Sequence, residues 1–394
     1  MLLTVGSGVA VQHSNPFQFG RELGTGELVD REKEIQLVRR TVENRGKLFL
    51  IGPRRYGKTS ILKVVEDQLT AGGAVILRFD AEAYGSIDRL ADAILTAATR
   101  SFSGSLERVG KRVAQFFGSL RPELTVSPDQ SVTASIGLSR TRQEDLPTLV
   151  QVLDGVEAMA AGRDEPVALI LDEFQFLVGA GQSAERQLRA CVQRHRNVAY
   201  VFAGSKTHLL GELTGSPLRP FYKLGARHFL GPLPGADFAA FLRSGFEDSG
   251  YAVQEPALQA ILAQADEVPY NVQQLAHTCW EDLRTSEDPV LSEDVVKNAL
   301  DWLVRSNDPF YTKLWGRLSR QQMRTVYAVI GEAGRGMFSH AVARRYGVPT
   351  PTLQSSLAKL VSDGMIREEQ EMGTTRYRLE DPFLAHWLAL VQPR

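Results

Sequence analysis

The stretch Gly52-Pro53-Arg54-Arg55-Tyr56-Gly57-Lys58-Thr59 has the residue types and spacing to hold a polyphosphate. Glycines let main-chain N–H groups curl around phosphate oxygens. Lys58 reaches toward β- and γ-phosphates, and the Thr59 hydroxyl, followed by Ser60, is a hard ligand for Mg²⁺. Further along, Asp172-Glu173 closes the apolar run Val167-Ala168-Leu169-Ile170-Leu171, so two carboxylates fall at the edge where open α/β sheets bind ligands. Asp172 is expected to hold Mg²⁺ through its water shell. Glu173 is expected to orient and deprotonate an attacking water, because phosphoryl transfer asks mainly for positioning and charge stabilisation. The bland alternatives are a surface turn with a fortuitous lysine and a strand that ends wet in acids. Their joint occurrence, with a strand before the loop and a helix after it, favours the chemistry.

Two further residues are candidates with open alternatives. Ser205, in Ala203-Gly204-Ser205-Lys206-Thr207, leaves an apolar strand at the same sheet edge and could sense a γ-phosphate; a polar turn is the alternative. Arg219, flanked by Pro217 and Pro220, could reach a neighbouring subunit's nucleotide as an arginine finger, or be an ordinary salt-bridging arginine.

These groups need a scaffold. Lys47–Ile51, 74–80, 167–171 and 198–203 are continuous apolar runs of the kind buried on both faces of a parallel sheet, and helical periodicity lies between them and at 27–46. The pattern predicts a three-layer α/β core over 15–233, after a flexible 1–14, with an inserted β-hairpin at about 123–136. An amphipathic helix is expected at 106–121. Residues 234–307 then read as a helical lid. Three helices followed by two short strands, over 308–394, describe a winged helix.

Composition narrows the class. The chain has 394 residues, 43% hydrophobic and 23% charged, with a formal net charge of −1, so contact with nucleic acid would need a local basic patch. Residues 305–394 supply one, with 13 Lys and Arg against 8 Asp and Glu. Arg344, Arg345, Arg376 and Arg378 are placed for duplex phosphates, whereas the candidate recognition helix turns out only Thr352, Gln354, Ser355, Ser356 and Lys359. Two cysteines, Cys191 and Cys279, lack metal-site or disulfide spacing, and no run is long enough to span a bilayer; a soluble cytoplasmic protein is expected.

Together these residues resemble the archaeal-type ATPase family, a branch of the P-loop AAA+ and STAND superfamily related to origin-recognition ATPases. The resemblance rests on Leu28-Val29-Asp30-Arg31-Glu32-Lys33-Glu34, the loop at 52–59, Leu171-Asp172-Glu173-Phe174-Gln175, Val268-Pro269-Tyr270 and Tyr377-Arg378-Leu379-Glu380-Asp381-Pro382-Phe383. It implies that Asp30 and Arg31 face adenine and that Pro269 opens a lid helix near the nucleotide. From the loop and the acidic pair, ATP and ADP are the expected ligands and Mg²⁺ the expected cofactor, and a finger role for Arg219 would make a nucleotide-dependent homo-oligomer. Two departures stand out: Glu267 occupies a position usually held by glycine, and no sensor arginine follows Pro269. They favour a slow switch over a motor. The expected function is therefore an ATP-hydrolysing switch acting through a winged helix on duplex DNA or a protein. A non-hydrolysing ATP-binding regulator or scaffold is the alternative, and a small-molecule kinase a lesser one.

Overall fold

In this computed structural model, residues 14–391 are described except 25, 103–121, 127–131, 137–144, 179–180, 288 and 372–373. The helix expected at 106–121 lies outside them. The chain divides into two compact units, Glu22–Gly231 and a second containing residues 14–21 and those from Pro232 onward.

The first unit begins with α1 (Glu32–Glu43), β1 (Lys47–Ile51), α2 (Lys58–Ala71), β2 (Val75–Asp80) and α3 (Ile87–Phe102). Next come β3 (Pro122–Val126), β4 (Val132–Ile136), α4 (Asp145–Ala160) and β5 (Val167–Asp172). A single turn α5 (Gln175–Val178), then α6 (Gln182–Arg194), β6 (Val198–Gly204), α7 (Thr207–Gly215) and β7 (Ala226–Phe229) complete it. Five strands form one parallel sheet in the order β2-β5-β6-β1-β7. Every residue of β5 and β6 is buried, as expected for central strands covered by helices on both faces. This is the anticipated P-loop type of α/β core. The β3–β4 pair is the expected antiparallel hairpin, in register from Pro122↔Ile136 to Val126↔Val132.

Register carries the site. Ile51 pairs with Gly204 and Leu171 with Phe202, so the ends of β1, β5 and β6 emerge side by side. Beneath them Phe49, Phe174, Phe202 and Phe221 interlock, with Phe174 and Phe202 ring centroids 4.5 Å apart and all four rings at most 1% exposed. Such rings anchor the edge above them, since close-packed aromatics leave little room for a strand end to shift.

The second unit is mainly helical: α8 (Gly235–Asp248), β8 (Ala252–Val253), α9 (Glu255–Gln264), α10 (Pro269–Arg284), β9 (Val290–Leu291) and α11 (Glu293–Ser306). It continues through α12 (Asp308–Gly316), α13 (Arg320–Gly331), α14 (His340–Tyr346), α15 (Thr350–Ser362), the antiparallel hairpin β10 (Ile366–Glu371) and β11 (Thr374–Leu379), and α16 (Phe383–Val391). Residues 15–17 pack here, not on the sheet expected for 15–233. Asn15 donates to His277 O at 3.1 Å, and Phe17, fully buried, packs its ring tilted against that of Phe246, with centroids 4.6 Å apart. Ser356, expected to face outward on α15, is buried.

Candidate active site

The loop after β1 is shaped by close approach and left-handed backbone. Gly52 donates its N–H to Gly204 O at 3.2 Å, and a Cβ at this position would sit 2.7 Å from Leu230 Cβ, so a side chain here would push β7 away. Arg55 and Gly57 have φ of 68° and 87°, and Gly57 is the N-cap of α2. The loop thus delivers the N–H groups of a helix start to one point, an arrangement suited to anions. Lys58 is buried and donates to Gly52 O at 2.7 Å and Pro53 O at 2.8 Å. Ser60 lies inside α2 and accepts the N–H of Leu23 at 3.0 Å, a structural task.

Arg31 supports the loop from behind. It is 4% exposed and donates to Tyr56 O at 3.3 Å and Gly231 O at 2.9 Å, with Glu34 Oε1 at 3.4 Å from its other nitrogen. Burial lowers its pKa against the opposing pull of Glu34 and Asp30. Asp30 adopts φ of 41°, which ends the run read as helical from 27 and lets α1 begin only at Glu32.

At the carboxyl edge, Thr59 Oγ1 donates to Asp172 Oδ2 at 2.9 Å, and the N–H of Glu173 donates to Asp172 Oδ1 at 2.9 Å. Burial pushes the Asp172 carboxyl above its ordinary range, although the Glu173 N–H, Lys58 and Thr59 all oppose that rise. A carboxylate penalised by its surroundings gains most from a neighbouring cation. The donor set fits Mg²⁺: a hydroxyl and a carboxylate oxygen side by side, without nitrogen or sulfur. Thr59 and Asp172 would hold the ion, which when bound neutralises charge on a transferring phosphate. Glu173 has φ of 48°, and Phe174 beyond it is pinned by its N–H to Ala203 O at 2.8 Å. Ser205 Oγ donates to Glu173 Oε2 at 2.9 Å, and Gln175 Nε2 donates to the same oxygen. Gln175 entered the sequence reading only as the last residue of the motif at 171–175, without a role of its own.

The structure therefore brings together Lys58, Thr59, Asp172, Glu173 and Ser205, with Arg31 behind the loop. Arg219 is engaged elsewhere, 3.2 Å from Glu185 Oε1 and 3.9 Å from Glu212 Oε1. Pro269 belongs to the second unit, at the start of α10, after Asp266 and Glu267 with φ of 53° and 54°. Those angles explain why glycine suits position 267.

A glycine-rich loop after β1, an acidic pair at the end of β5 and a parallel sheet between them give the architecture of a P-loop AAA+ α/β core. Residues 39–211 match the family model of an AAA domain. Among solved structures, a Walker-type ATPase of Pyrococcus abyssi superposes with a TM-score of 0.60 at 18% identity, covering 95% of this chain and 99% of that one. The ORC2 protein of Aeropyrum pernix, in ADPNP–ADP complexes, gives 0.56 at 16% identity over 96% of this chain and 97% of that one. No curated protein matches the sequence. Residues 39–211 are thus similar to an AAA domain, and the chain shares its fold with these two archaeal proteins.

Proposed function

We propose that the protein is a Mg²⁺-dependent ATP-hydrolysing switch whose nucleotide state governs its carboxy-terminal module. The observation that carries this reading is the convergence of Lys58, Thr59, Asp172, Glu173 and Ser205 on one sheet edge. Glu173 takes a proton from water as the water oxygen bonds to the γ-phosphorus. The bond from that phosphorus to the β–γ bridging oxygen breaks, leaving ADP and phosphate, with Lys58 offsetting the charge on the departing oxygens. Ser205 then exchanges its bond to Glu173 for one to the γ-phosphate. A regulator that binds ATP without turnover would not need Glu173 so oriented.

The order of α13, α14, α15, β10 and β11 supports a winged helix as the output module. Its partner reads as a protein in preference to DNA, because three of the four arginines expected on phosphates are already committed. Arg345 pairs with Glu332 at 2.6 Å, Arg376 donates to Ala333 O at 3.0 Å, and Arg378 pairs with Asp266 and Glu369. Arg219 reads as structural: Glu185 is 3% exposed, and withdrawing its cation would leave a buried charge, a loss of about 3–5 kcal/mol. The test is phosphate release from Mg-ATP by wild type and Glu173→Gln, each with and without duplex DNA. Wild-type turnover reduced about 10²–10⁴-fold in the variant, with nucleotide affinity retained and no response to DNA, is expected. Turnover that survives Glu173→Gln refutes the catalytic assignment, and stimulation by DNA refutes the choice of partner.

A further inference from the structure

Among the described residues, both hydrogen bonds to the Glu173 side chain fall on Oε2, one from Ser205 Oγ at 2.9 Å and one from Gln175 Nε2. The Gln175 amide also donates to Ser205 Oγ at 3.3 Å, so three side chains close a ring around one carboxylate oxygen. Gln175 is 9% exposed, and its Oε1 is buried without a hydrogen-bond partner among the described residues. An orphaned buried acceptor costs about 1–3 kcal/mol. Rotating the amide by half a turn would not help, since it would set Oε1 against the Glu173 carboxylate. The side chain is confined from its other end as well: a Cβ on Gly204 would overlap Gln175 Oε1 and Leu210 Cδ1. Glycine at the end of β6 is what leaves room for the amide.

We propose that Gln175 is the positioning residue of Glu173, anchoring Oε2 so that Oε1 is the oxygen presented to water. The inference rests on the hydrolytic reading of this site and gives it a component that survives when Ser205 turns to a phosphate. With Ser205 withdrawn, the Gln175 N–H alone keeps the carboxylate from rotating. The orphaned Oε1 is then the consequence of aiming the donor at Glu173.

Gln175→Met keeps length and packing but cannot donate. In steady-state phosphate release by the full chain with Mg-ATP, kcat is expected to fall about 10–100-fold, while KM for ATP and the melting temperature hold. A space-filling role would leave kcat unchanged, or would lower the melting temperature in step with activity; either result overturns the proposal. The contact is also read without turnover, by infrared spectra of chain carrying isotope-labelled glutamate, in which the Glu173 carboxylate band is the one missing from Glu173→Gln. Its antisymmetric stretch should move to higher frequency in Gln175→Met, and an unmoved band overturns the clamp. If wild type releases no phosphate, the hydrolytic reading falls, and this band alone decides whether Gln175 holds Glu173.

Discussion

His195 shows how a side chain of catalytic type can be consumed by structure. One ring nitrogen meets Tyr200 OH at 2.6 Å, the other Asp154 Oδ1 at 2.8 Å, and Cys191 Sγ lies 3.7 Å away. Burial lowers the imidazole pKa, with Asp154 and Glu157 pulling the other way; burial likewise pushes the Cys191 thiol up to about 12. Because the unfolded chain protonates this histidine first, stability is complete above its ordinary value of 6.5 and declines as pH falls from there toward the folded value. Urea unfolding between pH 7.5 and 5.5 should show this decline in wild type and a flatter profile in His195→Gln; parallel profiles would place the proton uptake elsewhere. At this scale the site was legible where residue type alone declares chemistry, as at Lys58, Thr59, Asp172 and Glu173. It was not legible at Gln175, whose role depends on the register of β5 against β6, or at Arg31, whose carbonyl partners are distant in sequence.

Elements were legible in proportion to their burial. The runs 47–51 and 167–171 match β1 and β5 almost residue for residue because strands covered on both faces must be apolar throughout. β7 escaped notice because it is the sheet's edge, Ala226-Arg227-His228-Phe229, exposed at three of its four residues. Turns were hardest, since a positive φ on Asp30, Glu173 or Glu267 leaves no mark in residue type. Two glycines of the second unit separate steric from conformational demand. At Gly334, φ is 71° and a Cβ would overlap the carbonyl of Tyr377; at Gly347, φ is 61° but the nearest atom is the flexible end of Arg324 at 3.3 Å. Gly347→Ala should cost about 1 kcal/mol, the left-handed penalty alone. Gly334→Ala should cost about 3 kcal/mol or more, because β11 must move. Equal midpoint shifts in urea would mean that β11 yields freely.

Across the molecule, the proposed switch requires the second unit to respond to nucleotide, and within that unit an ion cluster around Asp266 ties the hairpin to the turn before Pro269. Asp266 pairs with Arg367 at 2.6 Å and with Arg378, and Glu369 pairs with the same two arginines at 2.8 and 2.9 Å. Arg367 is 7% exposed and also donates to Leu379 O. The hairpin is thereby fastened to the left-handed turn that precedes Pro269, so a displacement of that turn would carry β10 and β11 with it. Removing one partner of a buried pair costs about 3–5 kcal/mol, and since Glu369 remains, Asp266→Ala should cost about 2 kcal/mol. Asp266→Ala combined with Arg367→Met should destabilise by less than the sum of the two single changes. The functional consequence is read by amide exchange. In wild type, exchange at residues 366–379 should differ between the ADP state and the state with a non-hydrolysable ATP analogue, and Asp266→Ala should erase that difference while both nucleotides still bind. A difference that persists without Asp266 would mean that the hairpin receives its signal by another route, and a wild type with no difference would remove the switch from the proposed function.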